Sequence, residues 1–121
     1  MTPFKRIALV ANVELAEIAN LLNRLCCFLE KDGYSVLSEK RTSYLIDSKN
    51  IPIFDHLDKS LNLDLIIVVG GDGSMLSVGR SAADLNIPLL GVNRGRLGFL
   101  TDILPDDMEV QLKRVLSGNY I

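Results

Sequence analysis

The residues of this 121-residue chain whose types and spacing can do chemistry are gathered in two glycine-rich segments. The first is Gly70-Gly71-Asp72-Gly73-Ser74. Glycine lacks a Cβ, so it accepts positive φ and lets a ligand approach the backbone closely. Between an apolar run and a helical pattern, such a segment points unpaired N–H groups outward from a helix N-terminus, an arrangement that takes phosphate. Asp72 is out of place if anion binding is the whole purpose, because a carboxylate repels phosphate. Either it has separate work, holding Mg²⁺ or accepting a hydrogen bond from a sugar hydroxyl, or it is an N-cap for the following helix. Both readings stand at this point. The spacing is not the G-x-G-x-x-G dinucleotide fingerprint, and the lysine of a P-loop is missing.

The second segment is GVNRGRLGFLTD, residues 91–102. Gly91, Gly95 and Gly98 loosen the backbone, while Asn93, Arg94, Arg96, Phe99 and Thr101 put amide, cationic, aromatic and hydroxyl groups on one short stretch. Each arginine taken singly is as well explained by solvent, and Phe99 with Leu100 by the core. As a unit, an irregular glycine-rich segment at a strand end is where binding sites usually lie.

Both segments need elements to hold them. Residues 5–11 (KRIALVA) form an apolar run suited to a central parallel strand. Leu15, Ile18, Leu22, Leu25, Cys26 and Leu29 fall at helical spacing and predict an amphipathic helix over 14–31, stopped by Asp32-Gly33. A second strand is predicted at 34–39. The stretch 40–63, with Pro52 and the lone His56, has little period and reads as a surface connection with a hint of helix near 55–61. His56 has no second ligand in reach, which favours a surface or packing role.

Pattern returns with DLIIVV (64–69), a run of the kind buried on both faces of a parallel sheet. A helix from Ser74 to Leu85 is expected, with Met75, Leu76, Val78 and Ala82 inward, followed by a strand at 87–92. Pro105 with Asp106 and Asp107 marks a last helix start, with Met108, Val110, Leu112 and Val115 along one face. Strands alternating with helices predict a three-layer, doubly wound, mostly parallel α/β sheet of Rossmann-like type. Ligands of such sheets bind at the carboxyl ends of the strands. Both glycine-rich segments leave such ends, so they are expected to face one crevice.

Composition narrows the partners. The chain is 48% hydrophobic and 23% charged with a net charge of −2, which excludes no partner but argues against bulk affinity for nucleic acid. No apolar run approaches the roughly 20 residues that span a bilayer. Lys5 and Arg6 ahead of a short apolar stretch faintly suggest a signal peptide, but no small-residue cleavage site follows. Cys26 and Cys27 are adjacent, which suits neither a disulfide framework nor C-x-x-C metal spacing, and both are expected to be reduced and buried. A cytoplasmic protein with no nucleic-acid or membrane partner is the expectation.

GGDG after an apolar strand, followed by GVNRGRLGFLTD, closely resembles the NAD kinase family. The resemblance runs through the first strand, the Asp32-Gly33-Tyr34 turn, the helix after GGDG and the closing LSGNYI. It implies phosphoryl transfer from ATP, with Mg²⁺ or another divalent cation, to the 2′-hydroxyl of the adenosine ribose of NAD. By position, Asp72 engages the ribose hydroxyls and helps activate the nucleophile, and Gly71 and Gly73 keep the backbone close to the dinucleotide. Phe99, Leu100 and Thr101 lie against the adenine end. Arg94 and Arg96 match no definite family role, and phosphate contact is the expectation carried for them. Ser74 stands where many relatives have Thr or Asn.

The family also implies a β-rich second domain that completes the NAD pocket, with residues 1–121 as the N-terminal α/β domain, inactive alone. The full-length enzyme is expected to be a homo-oligomer, dimer or tetramer. Phosphofructokinases and lipid kinases also carry GGDG, but nothing here resembles their other motifs. A non-catalytic nucleotide-binding module, with Asp72 as a cap, is the rival of another class.

Overall fold

Alternating side-chain direction decides how each strand is covered. In the first strand, β1 (Arg6–Ala11), Ile7, Leu9 and Ala11 belong to one buried cluster while Ala8 and Val10 belong to another. The strand β4 (Leu65–Val69) divides likewise, Leu65, Ile67 and Val69 against Ile66 and Val68. Both strands are therefore central, with no wet face. Burying one such Leu or Ile stabilises the fold by about 1.5–3 kcal/mol, and these runs explain why the sheet forms where it does. In this computed structural model the described residues are 5–11, 18–48, 50–70, 72–92, 102–103, 110, 112–113 and 116, with 72–77 and 102–103 described as backbone.

The helix α1 (Ile18–Lys31) covers the first face with Ile18, Leu22, Leu25 and Leu29. It ends as Asp32-Gly33 predicts: Tyr34 N–H donates to Leu29 O (3.1 Å), Gly33 N–H to Glu30 O (3.1 Å), and Gly33 has φ +86°. That is a Schellman end, and no neighbour lies within 4 Å of the place a Cβ would take. The glycine is there for its φ, not for space. Next come β2 (Ser35–Glu39), the short helix α2 (Lys40–Ser43), β3 (Ile53–Phe54) and a 3₁₀ turn at Lys59–Leu61. After β4, the helix α3 (Asp72–Leu85) covers the second face through Val78 and Ala82. It closes with Asn86 in the left-handed region and Ile87 N–H donating to Ala82 O (2.9 Å). β5 (Leu89–Val92) and β6 (Asp102–Ile103) complete the chain's strands among the described residues.

The strands form one six-stranded sheet in the order β3-β2-β1-β4-β5-β6, with every pairing parallel. α1 and α3 lie on opposite faces, so the expected doubly wound α/β class is found. From β1 the chain winds outward toward β3, and from β4 it winds the other way. The direction of winding thus reverses between β1 and β4, which makes their carboxyl ends the topological switch point.

Several expectations change. Residues 40–63 are not a plain surface connection: Thr42, Ile46, Phe54 and Leu63 are buried, and β3 supplies the sheet's edge. The suggested helix at 55–61 is only the turn at Lys59–Leu61, and His56 is exposed. Cys26 is buried but Cys27 is exposed, because at about 100° per residue Cys26 is at the margin of the inward face with Leu22, Leu25 and Leu29 and Cys27 falls beyond it. Leu112 is buried while Val110 is 69% exposed. Two positions on a helix are nearly opposite, and Leu116, four beyond Leu112, is the buried partner instead. Met108 and Val115 lie outside the described residues, as do the side chains of Met75 and Leu76.

Candidate active site

Parallel pairing aligns the places where the two glycine-rich segments leave the sheet. Val69, the last residue of β4, pairs with Val92, the last of β5. Gly70 N–H then donates to Val92 O at 3.2 Å. Gly70 has φ +145°, a conformation that L side chains rarely adopt, so the turn out of β4 requires glycine there. The chain is in α3 by Asp72, two residues earlier than the predicted start at Ser74. The first four N–H groups of an α-helix have no intrahelical partner. Those of Asp72, Gly73 and Ser74 accordingly stand at the carboxyl edge of the switch-point strand, with the positive end of the helix dipole.

On the other side of β4, Ala11 ends β1 and is paired with Val69. Its N–H donates to Thr42 Oγ1 at 2.9 Å, and that hydroxyl donates to Glu39 Oε1 at 3.2 Å. Thr42 is fully buried. Glu39 is the last residue of β2 and holds the N-cap position of α2, yet its side chain accepts no capping hydrogen bond. Its carboxylate is drawn toward the end of β1 instead. No spacing in the sequence marks this pair, which falls where the stretch without period begins.

Of the site residues expected from sequence, Asp72 and Gly73 stand in the first turn of α3, described as backbone. Gly71, Arg94, Arg96, Phe99, Leu100 and Thr101 lie outside the described residues. What the fold brings together is the two points of departure. The opposite edge of the sheet carries structural polar contacts: Lys5 and Arg6 N–H groups donate to Asp64 Oδ2 at 2.8 and 2.9 Å, and Arg6 Nε donates to Leu61 O. Among the described residues no group of three His, Cys, Asp or Glu side chains is placed to hold a metal ion.

The model of the family described as ATP-NAD kinase N-terminal domain matches residues 7–120, a span that includes both glycine-rich segments. The chain belongs to this family. It is 44% identical over 121 residues to an NAD kinase of Hahella chejuensis, an alignment covering 100% of this chain and 41% of that protein. It is 45% identical to an NAD kinase of Pseudoalteromonas translucida, covering 99% of this chain and 41% of the relative. The chain thus spans about two fifths of the length of the curated relatives it matches. Among solved structures, yeast NADH kinase complexed with NADH is similar in fold, with a TM-score of 0.70 at 18% identity, covering 97% of this chain and 37% of the other. The N-terminal domain of the family and the doubly wound sheet thus coincide over nearly the whole chain.

Proposed function

We propose that the full-length protein carrying this chain is an NAD kinase that converts NAD to NADP. The observation that carries the reading is the family match across residues 7–120. In the reaction, the 2′-hydroxyl oxygen of the adenosine ribose bonds to the γ-phosphorus of ATP. The bond from that phosphorus to the β–γ bridging oxygen breaks, and ADP leaves. Polyphosphate is the alternative donor. Phosphoryl transfer of this kind depends on positioning and charge stabilisation, with a loose transition state.

Each part of the carboxyl edge has a role in this reading. Asp72 accepts a hydrogen bond from the reacting ribose hydroxyl, orients it and takes its proton late in the transfer. The glycine turn at 70–71 and Gly73 let the dinucleotide approach the backbone, and the free N–H groups of α3 face phosphate. Phe99, Leu100 and Thr101 meet the adenine end of NAD, and Arg96 a phosphate. Mg²⁺, or another divalent cation bound with ATP, would supply charge neutralisation for the donor phosphates. A second domain, consistent with the chain's 41% share of its relatives, completes the NAD pocket. A cytoplasmic location fits the two free thiols. Assembly as a homodimer or tetramer rests on the family resemblance.

The test is NADP formation by the purified full-length protein from NAD, ATP and Mg²⁺, followed with an NADP-specific dehydrogenase. ATP-dependent NADP is the expected product. Binding of NAD without turnover would assign the protein to the non-catalytic class instead.

A further inference from the structure

We infer that Glu39 is a ligand-binding residue, taking the ribose hydroxyls of the phosphoryl donor; the inference rests on the proposed kinase reading. Three observations carry it. Glu39 ends β2 at the carboxyl edge, and its N-cap position brings no capping hydrogen bond. The Thr42 hydroxyl, itself fixed by Ala11 N–H, holds one carboxylate oxygen toward the end of β1. No second donor among the described residues reaches that carboxylate, and Glu39 is partly exposed.

Placement then selects the ligand. With the acceptor ribose at Asp72 and its adenine toward the segment leaving β5, the β5 side of the crevice is taken. The donor's γ-phosphate must meet the acceptor near α3, so its nucleoside extends the other way, over β1 toward β2. Two interstrand spacings of about 4.8 Å separate β4 from β2, a span that a triphosphate and its ribose can cover. A carboxylate with free acceptor positions is the complement of a vicinal diol. The recess between α1 and residues 47–48, lined by Asn23, Cys27 and Glu30, is less suited: Asn23 is already committed to Ala19 O, Leu45 O and Asp47 N–H.

The test uses the full-length protein and steady-state kinetics. Glu39→Gln keeps an oxygen for the Thr42 hydroxyl while removing the charge. The expected result is a KM for ATP raised about tenfold, the scale of one hydrogen bond to a charged group, with the KM for NAD and the Tm unchanged. In the wild type, 2′-deoxy-ATP or 3′-deoxy-ATP shows a similar penalty, and in Glu39→Gln that penalty disappears. A KM for ATP within twofold of wild type, a shift confined to NAD, or a deoxyribose penalty undiminished in the variant overturns the assignment. So does a wild-type enzyme indifferent to both deoxy nucleotides, whatever the variant's stability. Absence of any NADP from the wild type with ATP defeats the kinase reading itself and is seen before a variant is compared.

Discussion

At Asp72 the family motif and the start of a helix coincide, and that combination sets how the residue can act. A carboxyl group with a pKa near 4 in water is a weak base for a sugar hydroxyl. On the proposed kinase reading, the part assigned to Asp72 is therefore orientation of the nucleophile, with late proton transfer. Asp72→Asn in the full-length protein is expected to bind NAD within about tenfold of wild type while turnover falls by roughly 10²–10⁴-fold. Isothermal titration and initial rates check the two halves, and near-normal turnover would remove Asp72 from the mechanism. A different residue-scale contrast separates the adjacent cysteines. Burial, then the charge of Glu30 and its hydrogen bond from Sγ (3.6 Å), push the Cys26 thiol from 9.0 to about 12, whereas Cys27 is exposed. At pH 8 a thiol reagent is expected to label Cys27 in the native protein and both thiols in denaturant; rapid native labelling of Cys26 would contradict its burial. The raised pKa also fixes a sign. The folded state holds the Cys26 proton where the unfolded chain has lost it, so this contribution to stability is complete below pH 9 and declines as pH rises toward 12.

Among the elements, the carboxyl edge depends on how each strand end is tied down. β4 is tied to β5 through Gly70 N–H and Val92 O, but β1 is tied through a side chain, the Thr42 hydroxyl. Thr42→Val keeps the shape and leaves the buried Ala11 N–H without an acceptor, an expected loss of about 1–3 kcal/mol. Thr42→Ser restores the acceptor and is expected to recover most of it. Urea unfolding of the three proteins measures both, and equal stability for Val and Thr would show that the bond contributes nothing. The same elements show what a sequence discloses. β1 and β4 were legible as continuous apolar runs, as in Leu65–Val69, and α1 by the helical spacing of its buried residues. β3 and β6 are two residues each, too short for any alternation to register, and their place comes from pairing with Glu39 and Val92 across the sheet. The Glu39–Thr42 pair was hidden for a related reason. Its meaning lies in the contact with Ala11, which is distant in the chain and adjacent only in the fold.

For the whole molecule, the sheet and its covering helices set where the two glycine-rich segments depart. Both faces of the sheet are covered from within this chain, by α1 with Leu112 and Leu116 on one side and by α3 on the other. The two glycine-rich segments leave the sheet at its carboxyl rim, after the paired Val69 and Val92. The net charge of −2 offers no general attraction for a nucleotide, so the proposed reading draws its affinity from local groups such as the N–H groups at the start of α3. Folding and catalysis are thus expected to part company when residues 1–121 are produced alone. Thermal unfolding followed by circular dichroism is expected to show one cooperative transition, because the layers bury one another. NADP formation is expected to fall at least about 10³-fold below that of the full-length protein, since on the proposed reading a second domain completes the pocket and misplacing groups by even 1 Å can cost 10²-fold. Rates from 1–121 that approach the full-length value would show that the rest of the protein adds nothing to the site. A gradual unfolding curve would show instead that the rest of the protein is needed for the sheet itself.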